Sequence, residues 1–439
     1  MTGRRIAVIG SGISGLTAAY ILARTDDVTV FEADERLGGH ADTHLVKRPG
    51  APAVPVDTGF IVYNERTYPL LTRLFGELGV GTQESEMSMS VSCAGCGLGY
   101  AGKRGLPGLA AGVPGGGPRY LRMLAEVPRF HRAARRLLAQ APGSEESLGR
   151  FLPTRGFSPY FTAHFAVPLV AAVWSCPPGT ALRYPAAYLF AFLANHGMLS
   201  VTGSPPWRTV TGGSRQYVER IAARVARVRL SCPVRSVRRH PDGVELRDAS
   251  GEALDFAAVV IATHPDQALR LLEAPTAAER AVLGAIGYTP NEAVLHSDAR
   301  LLPPRASARA SWNYALDCRE VSRVVNGANE DSPNGGGRAE GSTARTRVSY
   351  SMNRLQGLAD GRDYIVTLGG RDDIDPARVI AVMDYAHPAY TRESVAAQRR
   401  LPGLNTPVTA FAGAYHGWGF HEDGCRSGTT AALALGGSW

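Results

Sequence analysis

The sequence predicts an α/β fold: a Rossmann-like domain built from separated chain segments, and a second domain whose mixed or antiparallel sheet is covered by helices. Three observations support this prediction. The 439 residues suffice for two or three domains. The N-terminus has the pattern strand, glycine loop, helix, strand. From about residue 228 onward the chain changes to short strands bounded by turn residues. With 44% hydrophobic and 20% charged residues, the composition excludes wholesale disorder.

The first elements follow from local pattern. Residues 5–9 are apolar and β-branched and end at Gly10, which predicts a strand. Residues 13–24 predict a helix, and residues 28–31 predict a second strand that ends at Glu32. The N-terminus is therefore predicted to be a βαβ unit.

Later segments alternate between the two patterns. Helices are predicted at about 67–79, 117–141, 157–173 and 184–196. Strands are predicted near 86–92, in a hairpin at 234–239 and 244–246, and at 288–298, 310–316, 346–352 and 363–368. The stretch 326–346 is rich in Gly, Ser, Asn and charge, which predicts a flexible loop.

The formal net charge is +8, and only Lys47 and Lys103 are lysines among 47 basic residues. The arginines are scattered rather than concentrated in one stripe, so we expect no nucleic-acid partner. We also expect no integral membrane segment, because the most apolar stretches are far shorter than the ~20 residues that span a bilayer. Six cysteines without a secretory leader predict reduced thiols and a cytoplasmic protein.

Cys93 and Cys96 form a single Cys-x-x-Cys pair. The pair has no second pair and no neighbouring histidine in the sequence, so it is incomplete for zinc. It also lacks the βαβ context of a redox dithiol. We therefore expect no metal site and interpret the spacing as chance.

Gly10-Ser11-Gly12-Ile13-Ser14-Gly15 follows the first strand and begins the helix, and Glu32 lies 22 residues after Gly10. Gly10 permits a tight turn, Gly12 allows the backbone to approach a pyrophosphate, and Gly15 lets helix and strand pack closely. The helix N-terminus attracts phosphate, and the acid can bind a ribose. These features predict dinucleotide binding. A second match, residues 97–102, lacks this context and predicts a turn between strands.

Gly38-Gly39 and Val56-Asp57-Thr58-Gly59-Phe60 follow, and here the chain resembles the FAD-dependent oxidoreductases related to flavin amine oxidases and carotenoid desaturases. Later segments extend the resemblance: residues 211–214, 261–263, 411–414 and 422–428. The segments 195–197, 312–314, 352–355 and 417–424 resemble more narrowly a bacterial subgroup of predicted NAD/FAD-binding proteins found beside genes for cyclopropane-fatty-acid-synthase-like methyltransferases.

The resemblance implies FAD as the cofactor and a set of residues that contact it. These are Gly10, Gly12, Ile13, Ser14, Gly15, Glu32, Ala33, Gly38, Gly39, His40, Thr58, Gly59, Val234, Ala262, Thr263, Gly413, Glu422, Asp423 and Gly424. It further implies an FAD-binding domain made of residues 1–65, 205–270 and 400–439, and a substrate domain made of 66–204 and 271–399.

Candidate catalytic residues lie near the C-terminus. His421 and Glu422 precede the last predicted helix, where they are expected either to relay protons beside the flavin or to form an ordinary helix N-terminal turn. Tyr415 and Trp418 are expected either to line an apolar substrate cavity or to pack in the core. Amine oxidases have an acid where this chain has Tyr415, and commonly a lysine near flavin N5 that is not recognisable here.

The function predicted from the sequence is FAD-dependent oxidation or desaturation of a small apolar substrate, with hydride passing from carbon to flavin. A fatty acyl chain is a lead from the gene neighbourhood of the subgroup. Three alternatives stay open: an amine oxidase, a redox-neutral flavin isomerase, and a non-catalytic flavoprotein that serves a partner enzyme. The electron acceptor is not identified by the sequence.

Overall fold

The computed structural model describes residues 3–102, 104–200, 203–327, 346–359 and 361–439. The chain divides into two compact units. Unit 1 contains residues 1–83, 208–289 and 388–439, and unit 2 contains residues 84–207 and 290–387.

The strands, in chain order, are β1 (Arg5–Ile9), β2 (Asp27–Phe31), β3 (Thr43–Arg48), β4 (Ala51–Asp57), β5 (Thr82–Ser85), β6 (Met89–Cys93), β7 (Gly99–Gly102), β8 (Trp207–Val210), β9 (Arg227–Arg229), β10 (Val234–His240), β11 (Gly243–Asp248), β12 (Ala253–Phe256), β13 (Ala258–Ile261), β14 (Tyr288–His296), β15 (Trp312–Leu316), β16 (Arg347–Ser351), β17 (Ile365–Leu368), β18 (Val379–Pro388) and β19 (Thr409–Phe411).

The α-helices are α1 (Ile13–Leu22), α2 (Pro69–Leu78), α3 (Gly105–Ala110), α4 (Val113–Gln140), α5 (Leu148–Thr154), α6 (Pro159–Phe161), α7 (Val167–Trp174), α8 (Pro178–Arg183), α9 (Ala186–Asn195), α10 (Arg215–Ala222), α11 (Pro265–Leu271), α12 (Ala277–Leu283), α13 (Cys318–Gly327), α14 (Met352–Leu355), α15 (Arg392–Gln398) and α16 (His421–Ala434). A π-helical turn, Thr162–Ala166, links α6 to α7.

Unit 1 contains a parallel sheet in the order β19-β13-β1-β2-β9. The predicted βαβ start is confirmed as β1, α1 and β2. Every residue of α1 is buried, because the helix lies between this sheet and α16. The predicted hairpin is also present, as β10 and β11. The α/β fold class is thus confirmed.

The boundaries of unit 1 differ from the predicted domain limits. Residues 66–83, 271–289 and 388–399 belong to unit 1, although the sequence assigned them to the substrate domain. The reason is burial: α2, α12 and α15 insert Leu74, Val282 and Ala397 into the two hydrophobic clusters that pack on the parallel sheet. Burying such a side chain contributes roughly 1.5–3 kcal/mol, so each helix stays with the core that covers it.

Unit 2 contains a sheet in the order β18-β14-β17-β16-β15-β6-β7. β15 pairs with β6 in parallel, whereas the pairs β14–β17, β17–β16, β16–β15 and β6–β7 are antiparallel. The expectation of a mixed or antiparallel sheet is confirmed, and the sheet is mixed. Among its helices, Phe130 of α4 lies at the centre of an aromatic cluster that includes Phe151, Phe161 and Phe190, with ring centroids 5.4–6.4 Å from its own.

The predicted loop at 326–346 falls mostly on residues outside those described, and its first two residues end α13. The second glycine match, at 97–102, is the turn between β6 and β7 together with β7 itself, as predicted. Within the described ranges, no helix is both long enough and apolar enough to cross a bilayer.

Candidate functional site

The glycine loop between β1 and α1 is held by contacts that tolerate no side chain at two of its positions. Gly10 has φ +95°, and a Cβ there would lie 2.7 Å from the carbonyl oxygen of Ala262. A Cβ at Gly15 would overlap the carbonyl oxygen of Gly10. Gly10 and Gly15 therefore shape the loop and bring Ala262, at the end of β13, against it.

Gly12 differs from its neighbours because a Cβ built on it would meet no atom within 4 Å. Gly12 is also the N-cap residue of α1, and the first turn of that helix has neither a side-chain cap nor an acidic residue. The amides at a helix N-terminus have no partner within the helix and carry partial positive charge. The open backbone at Gly12 thus offers an anion site.

Glu32, at the end of β2, lies beside the same loop. Its carboxylate accepts hydrogen bonds from the amide of Ser11 at 2.9 Å, from the Ser11 hydroxyl, and from the amide of Asp34 at 3.0 Å. Ala33 next to it is exposed. The acid expected to bind a ribose is therefore attached to the glycine loop through Ser11.

The glycine pair after β2 also contacts this loop. Gly38 donates its amide to the carbonyl oxygen and to the hydroxyl of Ser11, both at 3.1 Å. Gly39 has φ +55°, and a Cβ there would lie 3.2 Å from the Cα of Gly12. Gly38 must be glycine because of its close packing. Gly39 must be glycine because of its left-handed backbone and its close approach to Gly12.

The next expected contact residues are joined to the glycine pair by main-chain bonds. Thr58 donates both its amide and its hydroxyl to the carbonyl oxygen of Asp42, and the amide of Phe60 donates to the carbonyl oxygen of His40 at 2.7 Å. A Cβ on Gly59 would overlap the carbonyl oxygen of His40. His40, Thr58 and Gly59 therefore lie together.

Val234 begins β10 and pairs with Asp248 of β11. The residues just before it bond to the end of β2: the amide of Cys232 donates to the carbonyl oxygen of Glu32 at 2.9 Å. This brings the segment that precedes Val234 to the edge where Glu32 lies. Thr263 follows Ala262, whose amide donates to Ile9 at 2.8 Å.

The C-terminal segment packs directly on α1. A Cβ on Gly424 would lie 2.5 Å from Cγ2 of Ile13 and 3.0 Å from Oγ of Ser14. The amide of Gly413 donates to the hydroxyl of Ser427 at 2.9 Å. Gly413 and Gly424 thus lie with Ile13 and Ser14 beside the glycine loop, as expected for one site.

Glu422 and Asp423 face the protein rather than an open site. The two carboxylate oxygens of Glu422 accept hydrogen bonds from the amides of Leu70 and Leu71, at 3.2 and 3.1 Å. They cap the N-terminus of α2, where no side chain of α2 itself does so. Asp423 accepts from the amide of Phe420 at 3.1 Å and caps α16.

His421 lies in an aromatic cluster of unit 1. Its ring stacks on Phe60 with centroids 3.6 Å apart, and its Nε2 lies 3.1 Å from the hydroxyl of Tyr217. Burial lowers the pKa of His421 to about 3. The imidazole is therefore uncharged at physiological pH, whereas the proton relay expected of it would need a group that titrates near neutrality.

Tyr415 and Trp418 have different surroundings. Tyr415 is 0% exposed and belongs to the hydrophobic cluster that includes Phe411 and Leu401, and burial raises the pKa of its hydroxyl. It packs in the hydrophobic core of unit 1, which is one of the two roles expected for it. Trp418 is partly exposed, and its backbone amide contributes to holding the carboxylate of Asp423.

The geometry is thus a glycine loop and a glycine pair brought together at the carboxyl ends of parallel strands, and it agrees with a comparison of the chain with known families. A family model for flavin-containing amine oxidoreductases matches residues 13–435. The chain belongs to this family. As a member of this family of flavin enzymes, with the glycine loop, Glu32 and the glycine pair assembled in one place, it takes FAD as its cofactor.

This member of the flavin amine oxidoreductase family is similar in sequence or in fold to the following three proteins. It is similar to coproporphyrinogen III oxidase of Mycobacterium leprae (strain TN), with 29% identity over 293 residues, which are 62% of each chain. The chain thus spans less than two thirds of the length of the curated relatives it matches first. Putrescine oxidase bound to putrescine has the same fold, with TM-score 0.67, 16% identity and 99% of both chains covered. The CLA-producing fatty acid isomerase from P. acnes does too, with TM-score 0.65, 15% identity, and 98% and 97% covered.

FAD fits the residues that are present. Gly12 and Gly39 leave room for a diphosphate where a Cβ would intrude, and the first turn of α1 contains no acidic residue. Glu32 presents its carboxylate on the same loop. Gly12, Gly39 and the first turn of α1 would hold the diphosphate, and Glu32 would hold the ribose.

The sequence analysis missed the part played by Asp57. Its buried carboxylate accepts hydrogen bonds from the hydroxyl of Thr43 at 2.5 Å and from the amide and hydroxyl of Ser214 at 2.9 and 2.8 Å. Burial raises the pKa of Asp57 to about 6, although these hydrogen bonds oppose the shift. Asp57 ties the end of β4 to the start of α10. The available signals in the sequence were an acid at the end of a strand and a Gly-Gly-Ser segment before a helix elsewhere in the chain.

Cys93 and Cys96 also need a correction. The structure brings them together with His164 and Cys318, and one ligand atom of each residue lies within 4.8 Å of the others. This cluster could not be predicted from sequence spacing, because His164 is 68 residues from Cys96, and Cys318 is 225 residues from Cys93.

Proposed function

We propose that this protein is an FAD-dependent oxidoreductase that removes hydride from a carbon of an apolar substrate, with fatty acyl chains as the leading substrate class. The choice of substrate rests on the contacts and the charge of the titratable side chains in the C-terminal segment. Its titratable side chains are engaged within the protein or neutral, so they offer little to a charged substrate.

Two carboxylates of this segment are already committed. Glu422 binds the amides at the start of α2, and Asp423 binds the amide that precedes its own helix. Burial raises the pKa of Glu422, and it raises that of Asp423 to about 6. A substrate ammonium would need an ionised carboxylate that is free to face it, and neither residue is free.

Two imidazoles of the segment are uncharged at neutral pH. Burial lowers the pKa of His416 to about 4 and that of His421 to about 3. Around them, partly exposed aromatic residues such as Trp418 and Phe420 alternate with glycines. This surface is apolar and neutral, which suits a hydrocarbon chain better than an amine or a polyanion.

The lysine that commonly lies near flavin N5 in amine oxidases has no evident counterpart. The chain has two lysines. Lys47 is exposed on β3, on the hairpin formed with β4, and Lys103 falls outside the described residues. This weighs against amine oxidation as the activity.

When bound, FAD supplies the hydride acceptor. The chain's own part is to bind and to orient. Gly12, Gly39 and the first turn of α1 would hold the diphosphate, and Glu32 would hold the ribose. Asp57 fixes the start of α10 against β4, which keeps the segment that follows the glycine pair in place.

The test is anaerobic flavin bleaching of the purified holoprotein with a panel of substrates. We expect bleaching by long-chain fatty acids or acyl phospholipids, and none by putrescine, cyclohexylamine or coproporphyrinogen III. Rapid bleaching by an amine with acyl lipids inert would overturn the proposal in favour of amine oxidation. Bleaching by coproporphyrinogen III alone would do so in favour of a porphyrinogen oxidase.

The likeness to a fatty acid isomerase makes a redox-neutral reaction the second candidate. An isomerase would convert an unsaturated acyl chain without net consumption of oxygen or another acceptor. Product analysis by mass spectrometry with parallel oxygen measurement separates the two: a product of unchanged mass and no oxygen uptake supports isomerisation. The Gly12→Val variant, which is expected to lack FAD, should show neither reaction and serves as the control.

A further inference from the structure

Four side chains of unit 2 that the FAD site does not use converge at one point. They are Cys93, Cys96, His164 and Cys318, whose ligand atoms all lie within 4.8 Å of one another. Sγ of Cys96 lies 3.4 Å from Nε2 of His164. They come from three separate parts of the chain: the β6–β7 turn, the π-helical turn, and the start of α13.

We propose that these four residues form a structural zinc site of the Cys3His type. Three thiolates and one imidazole are a preferred donor set for tetrahedral Zn²⁺, and metal–ligand bonds of about 2.0–2.3 Å place the ligand atoms in mutual contact. Four protein ligands leave no open position for water or substrate, which is the arrangement of a structural rather than a catalytic site. The proposal does not rest on the proposed function.

The turn that carries two of the cysteines is shaped to present them on one side. The amide of Cys93 donates to the carbonyl oxygen of Leu98 at 2.8 Å, and the amide of Gly97 donates to the carbonyl oxygen of Cys93 at 3.0 Å. Gly97 has φ +71°, in the left-handed region. The Cys-x-x-Cys pair is thus held in a tight turn between two paired strands.

Cys318 reaches the site from the end of β15, the strand next to β6 in the same sheet. β15 pairs with β6 in parallel, so that Leu316 lies opposite Cys93. The amide of Ala94 donates to Leu316 at 2.9 Å, and the amide of Cys318 donates to Sγ of Cys93 at 3.3 Å. A Cβ on Gly95 would lie 2.8 Å from Sγ of Cys318, so only glycine leaves the third thiol its place.

His164 is oriented as metal-binding histidines usually are. Its Nδ1 lies 3.0 Å from the carbonyl oxygen of Tyr160. Because a carbonyl oxygen only accepts, Nδ1 carries the proton and Nε2 directs its lone pair at the thiols. The Tyr160 ring stacks on the imidazole at 4.0 Å. The residue lies within a π-helical turn, a rare conformation that is frequent at functional sites.

The site would act as a cross-link within unit 2. Cys93 is 4% exposed and His164 is 3% exposed, so a bound ion would be largely shielded from solvent. It would fasten the β6–β7 hairpin, the turn before α7 and the N-terminus of α13 to one another. The other three cysteines lie elsewhere: Cys176, Cys232 and Cys425 are not part of the cluster.

The first experiment measures metal in the wild-type holoprotein, purified under reducing conditions from zinc-supplemented medium. We expect about one zinc per chain by mass spectrometry of the metal content, with FAD measured in parallel. Cys96→Ser and His164→Gln should each lower the zinc content at least tenfold and leave the FAD content unchanged. Cys232→Ser is the matched control, because it removes a thiol of similar exposure outside the cluster, and it should keep its zinc.

A second measurement does not depend on the folding of a variant. Titration of wild-type thiols with an organomercurial should release zinc to a colorimetric chelator. Replacement with Co²⁺ should produce thiolate charge transfer and ligand-field bands of a tetrahedral ion, the latter at wavelengths beyond flavin absorption. Wild-type protein without zinc, zinc unaffected in Cys96→Ser, bound iron instead of zinc, or a disulfide among these cysteines in freshly reduced preparations would each overturn the proposal.

Discussion

Gly39 lies against Gly12: a Cβ on Gly39 would come within 3.2 Å of the Gly12 Cα, whereas a Cβ on Gly12 would meet no protein atom within 4 Å. The backbone of Gly12 is therefore open on the side where a side chain would project. A side chain there would not disturb the protein, but it would occupy the place of a diphosphate.

Gly12→Val is accordingly expected to fold and to lose FAD. Its far-ultraviolet circular dichroism should match that of the wild type, while its flavin content falls at least tenfold. Gly15→Val should instead destabilise the protein, because its Cβ would overlap the carbonyl oxygen of Gly10. Gly143→Val, at an exposed turn position that is also open, should affect neither property. Full FAD occupancy in Gly12→Val would contradict the assignment of the diphosphate site to Gly12.

Asp57 predicts a specific pH dependence of stability. Its pKa is raised to about 6 from the ordinary 3.8, so the folded state keeps this proton to higher pH than the unfolded state does. The free energy of unfolding therefore falls as pH rises from about 4 to 6. Two units of pKa correspond to about 3 kcal/mol.

The Asp57→Asn variant should lack this component. The difference in unfolding free energy, variant minus wild type, is expected to increase by up to about 3 kcal/mol between about pH 4 and 7. Denaturant unfolding at a series of pH values measures it. Asp242→Asn, at an exposed turn position, is the control and should give a flat difference. A flat difference for Asp57→Asn would mean that folding leaves the pKa of this carboxyl at its ordinary value.

His421→Gln should leave the pH dependence of both half-reactions unchanged between about pH 6 and 8, because the imidazole is already neutral there. Loss of the stack on Phe60 and of the contact with Tyr217 should lower stability by about 1–2 kcal/mol. Stopped-flow reduction and reoxidation across pH measure the first effect. A fall of ~10² in either rate constant, the size typical of lost acid–base catalysis, would restore His421 to a catalytic role.

Glu422 is expected to matter for stability through α2. Glu422→Ala removes the acceptor for the amides of Leu70 and Leu71, and loss of a helix cap costs about 0.5–2 kcal/mol. Glu422→Gln keeps one carbonyl oxygen and should be affected less. Thermal unfolding ranks the variants, with Glu145→Ala, an exposed carboxylate, as the reference. Equal stability of Glu422→Ala and the wild type would argue that the cap contributes nothing.

Elements specified by neighbouring residues could be predicted from the sequence. The strand at 5–9, the glycine loop and the helix after it depend on residues within a few positions of one another, and they are present as β1 and α1. Glu32 could be placed because its distance from the loop is fixed by the βαβ unit. The parallel sheet followed from the same unit.

Features that depend on burial between distant segments could not be predicted. His421 looked like a titrating group until Phe60 and Tyr217, more than 200 residues away in the chain, were seen to enclose it. The assignment of α2 to unit 1 depends on the same kind of contact. Cys93 and Cys96 looked like an incomplete metal site because the other two candidate ligands come from distant segments. Spacing along the chain does not show that these segments come together in the fold.

The strand order of the parallel sheet also governs how the protein is made. β1 pairs with β13, and β13 pairs with β19 at Thr409–Phe411, so β1 leaves the ribosome long before the last strand of its sheet has been made. At about 5–20 residues per second, this delay is roughly 20–80 s. During synthesis, the apolar residues of β1 are therefore exposed to chaperones and to other nascent chains, and the cofactor can be inserted only after β19 has been made.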